Sequence, residues 1–191
     1  KVDIAVHSLK DMDSFEDNDL TIGAYLKRND PRDGIVLKSG KSFNSENLII
    51  GSSSKRRELQ FKSHFKNIIC KNIRGNIDSR ISKVKRGEYD GTILALAGIQ
   101  TLKLEHEVKK IFSEDKIIPC VGQGVIAVQC RKNDFNNLKI LKKINDEDTK
   151  ICAITERSLL KTIGGDCHTA LGAYAKIDKN NIIIIAQLFS D

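Results

Sequence analysis

The sequence predicts an α/β protein with mostly parallel sheets, and three observations carry that reading. From Leu48 to Leu104 strand-like and helix-like stretches alternate, which is the pattern of βαβ units. Near the start, Val2–Leu9 carries Ile4, Ala5 and Val6 in succession, which suggests a strand buried on both faces. After residue 170 the pattern changes. Leu171–Ile177 and Asn181–Phe189 read as an antiparallel pair around Asp178-Lys179-Asn180, the start of an α+β module.

Taken in order, Val2–Leu9 runs straight into Ser8, Lys10 and Asp11. Ligands of open α/β sheets bind beyond the carboxyl ends of strands, so Lys10 and Asp11 stand where chemistry is expected. Leu20–Lys27 is a second short strand. Arg28-Asn29-Asp30-Pro31-Arg32-Asp33 reads as a turn or crossover, Ile35–Leu37 as a strand, and Lys38–Asn47 as a polar loop. Leu48–Gly51 leads through Ser52-Ser53-Ser54 into a helix over Lys55–Phe65, with Leu59 and Phe61 facing inward. Backbone N–H groups, the helix dipole and the forks of Arg56 and Arg57 suit an anion there. The plainer reading is a Ser N-cap with solvated arginines. The spacing is not that of a P-loop.

The strand Asn67–Asn72 ends in Ile73-Arg74-Gly75-Asn76, and the next helix carries Arg80 towards Arg86. Gly87-Glu88-Tyr89-Asp90 turns into the strand Gly91–Leu96 and a helix from Ala97. Pro119-Cys120-Val121-Gly122-Gln123-Gly124 is a Gly-rich crossing into the strand Val125–Cys130. Asp134–Ile144 and the stretch from Asp146 to Lys161 read as helices, the latter with Ile151, Ile154 and Leu159 as its apolar face. Thr162–Gly172 then stops the helix with Gly164-Gly165 and places Cys167 on a turn. There a cysteine is either a small buried side chain or a thiol offered to a ligand.

Composition narrows the function. The 191 residues are 40% hydrophobic and 30% charged with a formal charge of +7, and no apolar run approaches a membrane span. There is no Trp and little Phe or Tyr to interleave with the basic residues, which argues against nucleic acid. The basic residues fall at helix starts, which suits small anions. Five separated cysteines, with no CxxC pair, argue against a disulfide framework or a zinc site and for a reducing compartment. His64 and His106 read as solvated and His7 as hydrogen-bonded, while His168 adjoins Cys167 and could tune its thiol. The chain opens on Lys1 inside a strand and ends just after another, so it reads as a fragment of a longer protein.

Lys10 with Asp11, Ser52–Arg57, and Arg74 with Arg80 lie at separate strand ends and converge on one crevice. Several arginines, one carboxylate and a cysteine from a neighbouring module suit a ligand with many carboxylates that also offers N–H groups to an aspartate. In these residues the sequence resembles the porphobilinogen deaminase (hydroxymethylbilane synthase) family. The similarity is carried by Asp3-Ile4-Ala5-Val6-His7-Ser8-Leu9-Lys10-Asp11, Gly51-Ser52-Ser53-Ser54-Lys55-Arg56-Arg57, Ile73-Arg74-Gly75-Asn76 with Arg80, Gly87-Glu88-Tyr89-Asp90, Val121-Gly122-Gln123-Gly124, and Glu156-Arg157 through Cys167. These motifs occur in family order across essentially the whole chain.

The resemblance implies two domains like type II periplasmic binding proteins plus a small third domain. Residues 1–27 and 125–142 would belong to the first domain, 30–118 would form the second, and 147–191 the start of the third. The N-terminal part of the first domain and the end of the third would lie outside the chain. The implied reaction is a transfer that joins four porphobilinogen molecules, with loss of ammonia, into hydroxymethylbilane for heme and other tetrapyrroles. The chain would grow on a dipyrromethane cofactor held by a thioether to Cys167. By the same resemblance Asp11 and Lys10 would be catalytic. Lys10, Asp11, Ser52, Ser53, Ser54, Arg56, Arg57 and Cys167 would hold the cofactor. Arg74, Gly75, Arg80, Gln123 and Gly124 would hold substrate, and no metal is implied.

The implied partner is the small-molecule substrate alone, with no nucleic acid and no membrane, for a monomer of the cytoplasm or a plastid. In the plastid case a transit segment would lie upstream. Asp166, Ala170 and Thr101 depart from the family pattern, the last standing where an Arg is usual, and the usual Pro soon after Lys-Asp is absent from Met12-Asp13-Ser14. The competing reading is a non-catalytic, two-lobed binding protein for an acidic small molecule.

Overall fold

The computed structural model describes residues 2–13, 17–43, 45–166 and 169–189. The α/β class holds, on three sheets. The first is three-stranded, with β8 (Ile126–Arg131) between β1 (Ile4–Ser8) and β2 (Leu20–Tyr25). Both pairings are antiparallel, so β1 is not part of a parallel sheet, and the strand order leaves it at an edge among the described strands. Val6 is correspondingly exposed, which corrects the expectation that this strand is buried on both faces. Three consecutive apolar residues cannot reveal an edge position, because side chains alternate between faces and only the partner strand decides which face is covered.

One face of this sheet packs Ala24, Val128 and Cys130 against Leu141 of α4 (Phe135–Leu141). The other face packs Leu9, Tyr25, Val125 and Ala127 against Ala153 of α5 (Glu147–Thr162). Gly23, at the irregularity in β2, lets Leu141 pack close: a Cβ there would lie 2.5 Å from Leu141 Cδ1, which would have to shift.

The second sheet has the order β5-β4-β6-β3-β7. Its strands are β3 (Asp33–Leu37), β4 (Leu48–Gly51), β5 (Ile68–Lys71), β6 (Gly91–Ala95) and β7 (Lys110–Ile111). Parallel pairing joins β4 to β5 and to β6, as βαβ patterning dictates, whereas β3 pairs antiparallel with β6 and β7. The expectation of mostly parallel sheets therefore holds for the β5-β4-β6 side of this sheet only. Ile35, Ile50 and Ile93 point to one face, under α1 (Lys55–His64) through Phe61. Val36 and Leu94 point to the other, under Ile81 and Val84 of α2 (Ile77–Lys85) and Ile99 of α3 (Leu96–Thr101). Each longer helix starts on a side-chain cap: Ser54, Asn76 and Asp146 accept from the N–H of Arg57, Ser79 and Thr149.

The third sheet is the expected hairpin, β9 (Leu171–Asp178) with β10 (Asn181–Leu188). Helix α5 packs on β9, but not by the face read from its isoleucines. Ile151 and Ile154 are exposed and Leu159 is half-buried; the buried side is Thr149, Cys152, Ala153, Glu156, Arg157 and Leu160. Apolar counting failed because this face carries a carboxylate and a guanidinium that find partners inside the molecule. Among the described residues no helix is long and apolar enough to cross a membrane.

Candidate active site

Two connecting segments, residues 26–32 and 117–125, run between the first and second sheets, the second making a turn at residues 121–124. They are joined by Asn29 N–H donating to Gly124 O at 2.8 Å, and Leu26 N–H donates to Ile126 O, at the start of β8, at 3.0 Å. Gly124 has φ +83°, and a Cβ there would meet Asn29 O at 2.6 Å, so only glycine allows the segments to lie this close. The second segment also touches the hairpin, through the Cys120–Gly172 bridge and Ala173 N–H donating to Pro119 O at 2.9 Å.

Glu156 locks this junction. Its carboxylate is fully buried and accepts from Arg28 Nη1 at 2.6 Å and Nη2 at 3.3 Å, from Gly122 N–H at 2.8 Å and from Ala175 N–H at 2.8 Å. One side chain on α5 thus ties both segments to β9. Arg157 beside it donates to Asp13 O at 2.6 Å, fixing the chain just beyond Asp11.

Against this junction lie two adjoining cavities of about 390 and 490 Å³, within the roughly 300–1,000 Å³ usual for small-ligand sites. The first is lined by Lys10, Asp11, Ser53, Ser54, Arg56, Arg57, Arg80 and Gln123, together with Lys55, Cys120 and Thr169, which the sequence reading did not single out. The second shares Lys10, Arg57 and Arg80 and adds Gly75, Gly124, Asn29, Asn76 and Thr101. Lys10 and Asp11 arrive on a single 3-10 turn directly after β1, held by Leu9 N–H donating to Val125 O at 2.9 Å. The β4–α1 turn supplies the serines and arginines, and the start of α2 supplies Arg80, whose Nε donates to Gly75 O at 2.7 Å.

Not every expected residue faces this cleft. Ser52 is buried, and its hydroxyl is used within its own turn, accepting from Ser54 N–H at 3.2 Å. Arg74 is exposed and lines neither cavity. Gln123 donates to Pro31 O at 2.6 Å and to Asp33 Oδ1 at 2.8 Å, so it braces the cleft wall. Cys167 and His168 lie outside the described residues; the flanking Asp166 and Thr169 line a narrow recess together with Lys10 and Cys120. His7 pairs with Gln129 at 3.2 Å, and His64 and His106 are exposed, as expected.

Arg56 and Arg57 are neither solvated nor free. Both are buried, and both close on Asp33, the first residue of β3, at 2.9 and 2.8 Å. The reading of residues 28–33 as a turn gave Asp33 no role, and it is the principal site residue that reading missed. Burial pushes its carboxyl upward, but Arg57 and Arg56 outweigh that and hold its pKa well below the usual carboxylate range. Burial, reinforced by Arg57, lowers the Lys10 ammonium, with Asp11 acting against the shift. Arg80 is lowered by burial and by Arg57. The cleft is therefore a crowded cationic wall with one exposed carboxylate, Asp11, at its mouth.

That arrangement can bind an anion and offer Asp11 to a proton donor. Arg56 Nε and Arg57 Nε are buried without a protein partner, and unpaired buried donors of this kind call for a ligand or water. Among the described residues no group of three His, Cys, Asp or Glu side chains could hold a metal ion.

Comparison with known proteins places the chain in a family. A family model described as porphobilinogen deaminase, dipyromethane cofactor binding domain, matches residues 1–139, and one described as porphobilinogen deaminase, C-terminal domain, matches residues 150–191. The porphobilinogen deaminase of Coxiella burnetii (strain Dugway 5J108-111) is 38% identical over 186 residues, covering 97% of this chain and 61% of the relative. That of Caldicellulosiruptor saccharolyticus is 42% identical over 192 residues, covering 100% and 66%. The chain thus spans about three-fifths of the length of the first of these relatives. Among solved structures, a TRAP periplasmic solute binding protein from Sulfitobacter is similar at 13% identity with a TM-score of 0.45, over 86% of this chain and 66% of that one, too low to argue from.

Proposed function

The chain belongs to the porphobilinogen deaminase family, and from that premise we propose that the protein joins four porphobilinogen molecules into hydroxymethylbilane with loss of ammonia, in tetrapyrrole synthesis. The observation that supports this most is the cleft itself: one carboxylate, Asp11, on a turn shared with Lys10, facing a wall of Arg56, Arg57 and Arg80. Each pyrrole unit carries two carboxylates and one ring N–H, and this donor set matches that chemistry.

In this reading a dipyrromethane group is held by a thioether to Cys167, and its carboxylates meet Ser53, Ser54, Lys10 and the two buried guanidiniums. When bound, it supplies the pyrrole carbon from which the product chain grows. Asp11 accepts hydrogen bonds from pyrrole N–H groups and stabilises positive charge as ammonia departs. Lys10 and Arg80, shared by both cavities, orient the substrate carboxylates, while Gly75 and Gly124 allow the backbone to lie close to it. Gln123 acts by bracing Arg57 and Asp33.

The proposed units are residues 1–27 with 125–142, residues 30–118, and residues 147–191, hinged at residues 26–32 and 117–125. The protein is proposed to be cytoplasmic, as suits its bacterial relatives, and monomeric.

Ammonia release from porphobilinogen by the wild type and by Asp11→Ala tests the role of Asp11. The variant is expected to melt as the wild type does and to lose nearly all turnover. Substantial residual turnover would remove Asp11 from the chemistry. A non-catalytic binding protein would take up the anion and release no ammonia at all.

A further inference from the structure

Two guanidiniums on consecutive residues repel each other, yet Arg56 and Arg57 lie side by side in a buried wall. What permits this is Asp33. Its carboxylate is fully buried and spans the pair: Oδ2 accepts from Arg56 Nη2 at 2.9 Å and Oδ1 from Arg57 Nη2 at 2.8 Å. Gln123 Nε2 donates to the same Oδ1 at 2.8 Å. The remaining Nη groups are also taken, Arg56 Nη1 by Ile118 O at 2.7 Å and Arg57 Nη1 by Ile93 O at 3.4 Å. Every guanidinium nitrogen is therefore fixed except one on each residue, the Nε, which has no protein partner.

From this we infer that Asp33 is a positioning residue for anion binding in the cleft. It acts through the two arginines, holding their planes against the cavity they line so that their charge, and the N–H groups not taken up by protein, serve an incoming carboxylate. The inference deepens the reading of the cleft as a carboxylate site and rests on that part of it. It also sets a sign that simple electrostatics does not. Asp33 is an anion in an anion site, so if it merely opposed the ligand, removing its charge would tighten binding. A positioning role requires the opposite: binding weakens although the wall becomes more cationic.

The test uses glutarate, a plain dicarboxylate, as probe, so that it does not depend on turnover. All variants are made in the Cys167→Ser chain, which cannot form a thioether and keeps the cleft open whichever view of the activity is right. Calorimetric titration is expected to show glutarate binding, weakened about tenfold by Asp33→Asn, the worth of roughly one charge-assisted hydrogen bond. In an Arg57→Gln background the same substitution is expected to cost about threefold or less, because part of what it acts through is gone. No binding, unchanged or tighter binding in Asp33→Asn, or an equal loss in both backgrounds would each overturn the inference.

Should Asp33→Asn fail to fold, the chain with Asp33 intact decides. The Nε–H resonances of Arg56 and Arg57 are expected to shift as glutarate is added. Resonances that stay fixed while glutarate binds would overturn the inference.

Discussion

Replacing Glu156 by alanine is expected to be among the most damaging single changes in this molecule. The substitution leaves Arg28 as a charge with little solvent around it, since its side chain is 12% exposed. It also strips the acceptor from two buried backbone N–H groups, those of Gly122 and Ala175. Removing one partner of a buried ion pair costs about 3–5 kcal/mol, and orphaned backbone donors add to that. Some of the loss is recovered, because Arg28 keeps its Nε bond to Gln123 O at 2.9 Å and its stacking on Tyr174 at 4.9 Å.

A net loss of about 4 kcal/mol follows, which for a chain of this size lowers Tm by roughly 8–16 °C. Glu156→Gln, which keeps the shape and one acceptor oxygen, is expected to cost about half as much. Denaturant titration and a thermal melt of the two variants measure this. A loss below about 1 kcal/mol for Glu156→Ala would refute the claim that this carboxylate holds the three sheets together.

Further outcomes follow from the same contacts. Gly124→Ala is expected to cost at least about 1–2 kcal/mol, because it combines a left-handed backbone with a contact 2.6 Å from Asn29 O; a wild-type melt would contradict the close approach of the two connecting segments. Because the folded pKa of Asp33 is depressed, its stabilisation is present above 3.8 and is lost as pH falls from there toward the folded value. Asp33→Asn is therefore expected to flatten the acid limb of the stability–pH curve, and an unchanged limb would count against the ion pairs. Thr101→Arg places a cation at the wall of the larger cavity and is expected to lower KM for porphobilinogen by up to about tenfold. An unchanged or higher KM would mean that no substrate carboxylate reaches residue 101.

What the sequence made legible was local. Strand ends deliver Lys10, Asp11, Ser53 and Ser54 to one side because each lies within a few residues of the strand that aims it, and Arg80 reaches the same side from the helix that follows β5. The β4–α1 and β5–α2 units could be read from patterning and caps alone. What escaped was non-local. Arg28 and Glu156 lie 128 positions apart, and nothing near either residue marks it as buried. Asp33 resembles any aspartate in a polar turn until β6 pairs alongside β3 and buries it. Helix α5 defeated apolar counting for the same reason: a face is buried when its polar groups find partners, and those partners came from β9, the connecting segments and the chain at Asp13. The antiparallel setting of β1 depended on β8, some 120 residues downstream.

The measurement that tests the central claim most directly is the intact denatured mass of the full-length protein beside its Cys167→Ser variant. A covalent primer requires the wild type to exceed its polypeptide mass by two linked pyrrole units and the variant to carry no excess. A bare polypeptide mass for the wild type, still bare after incubation with porphobilinogen, would contradict the proposed enzyme and leave a cleft that only binds.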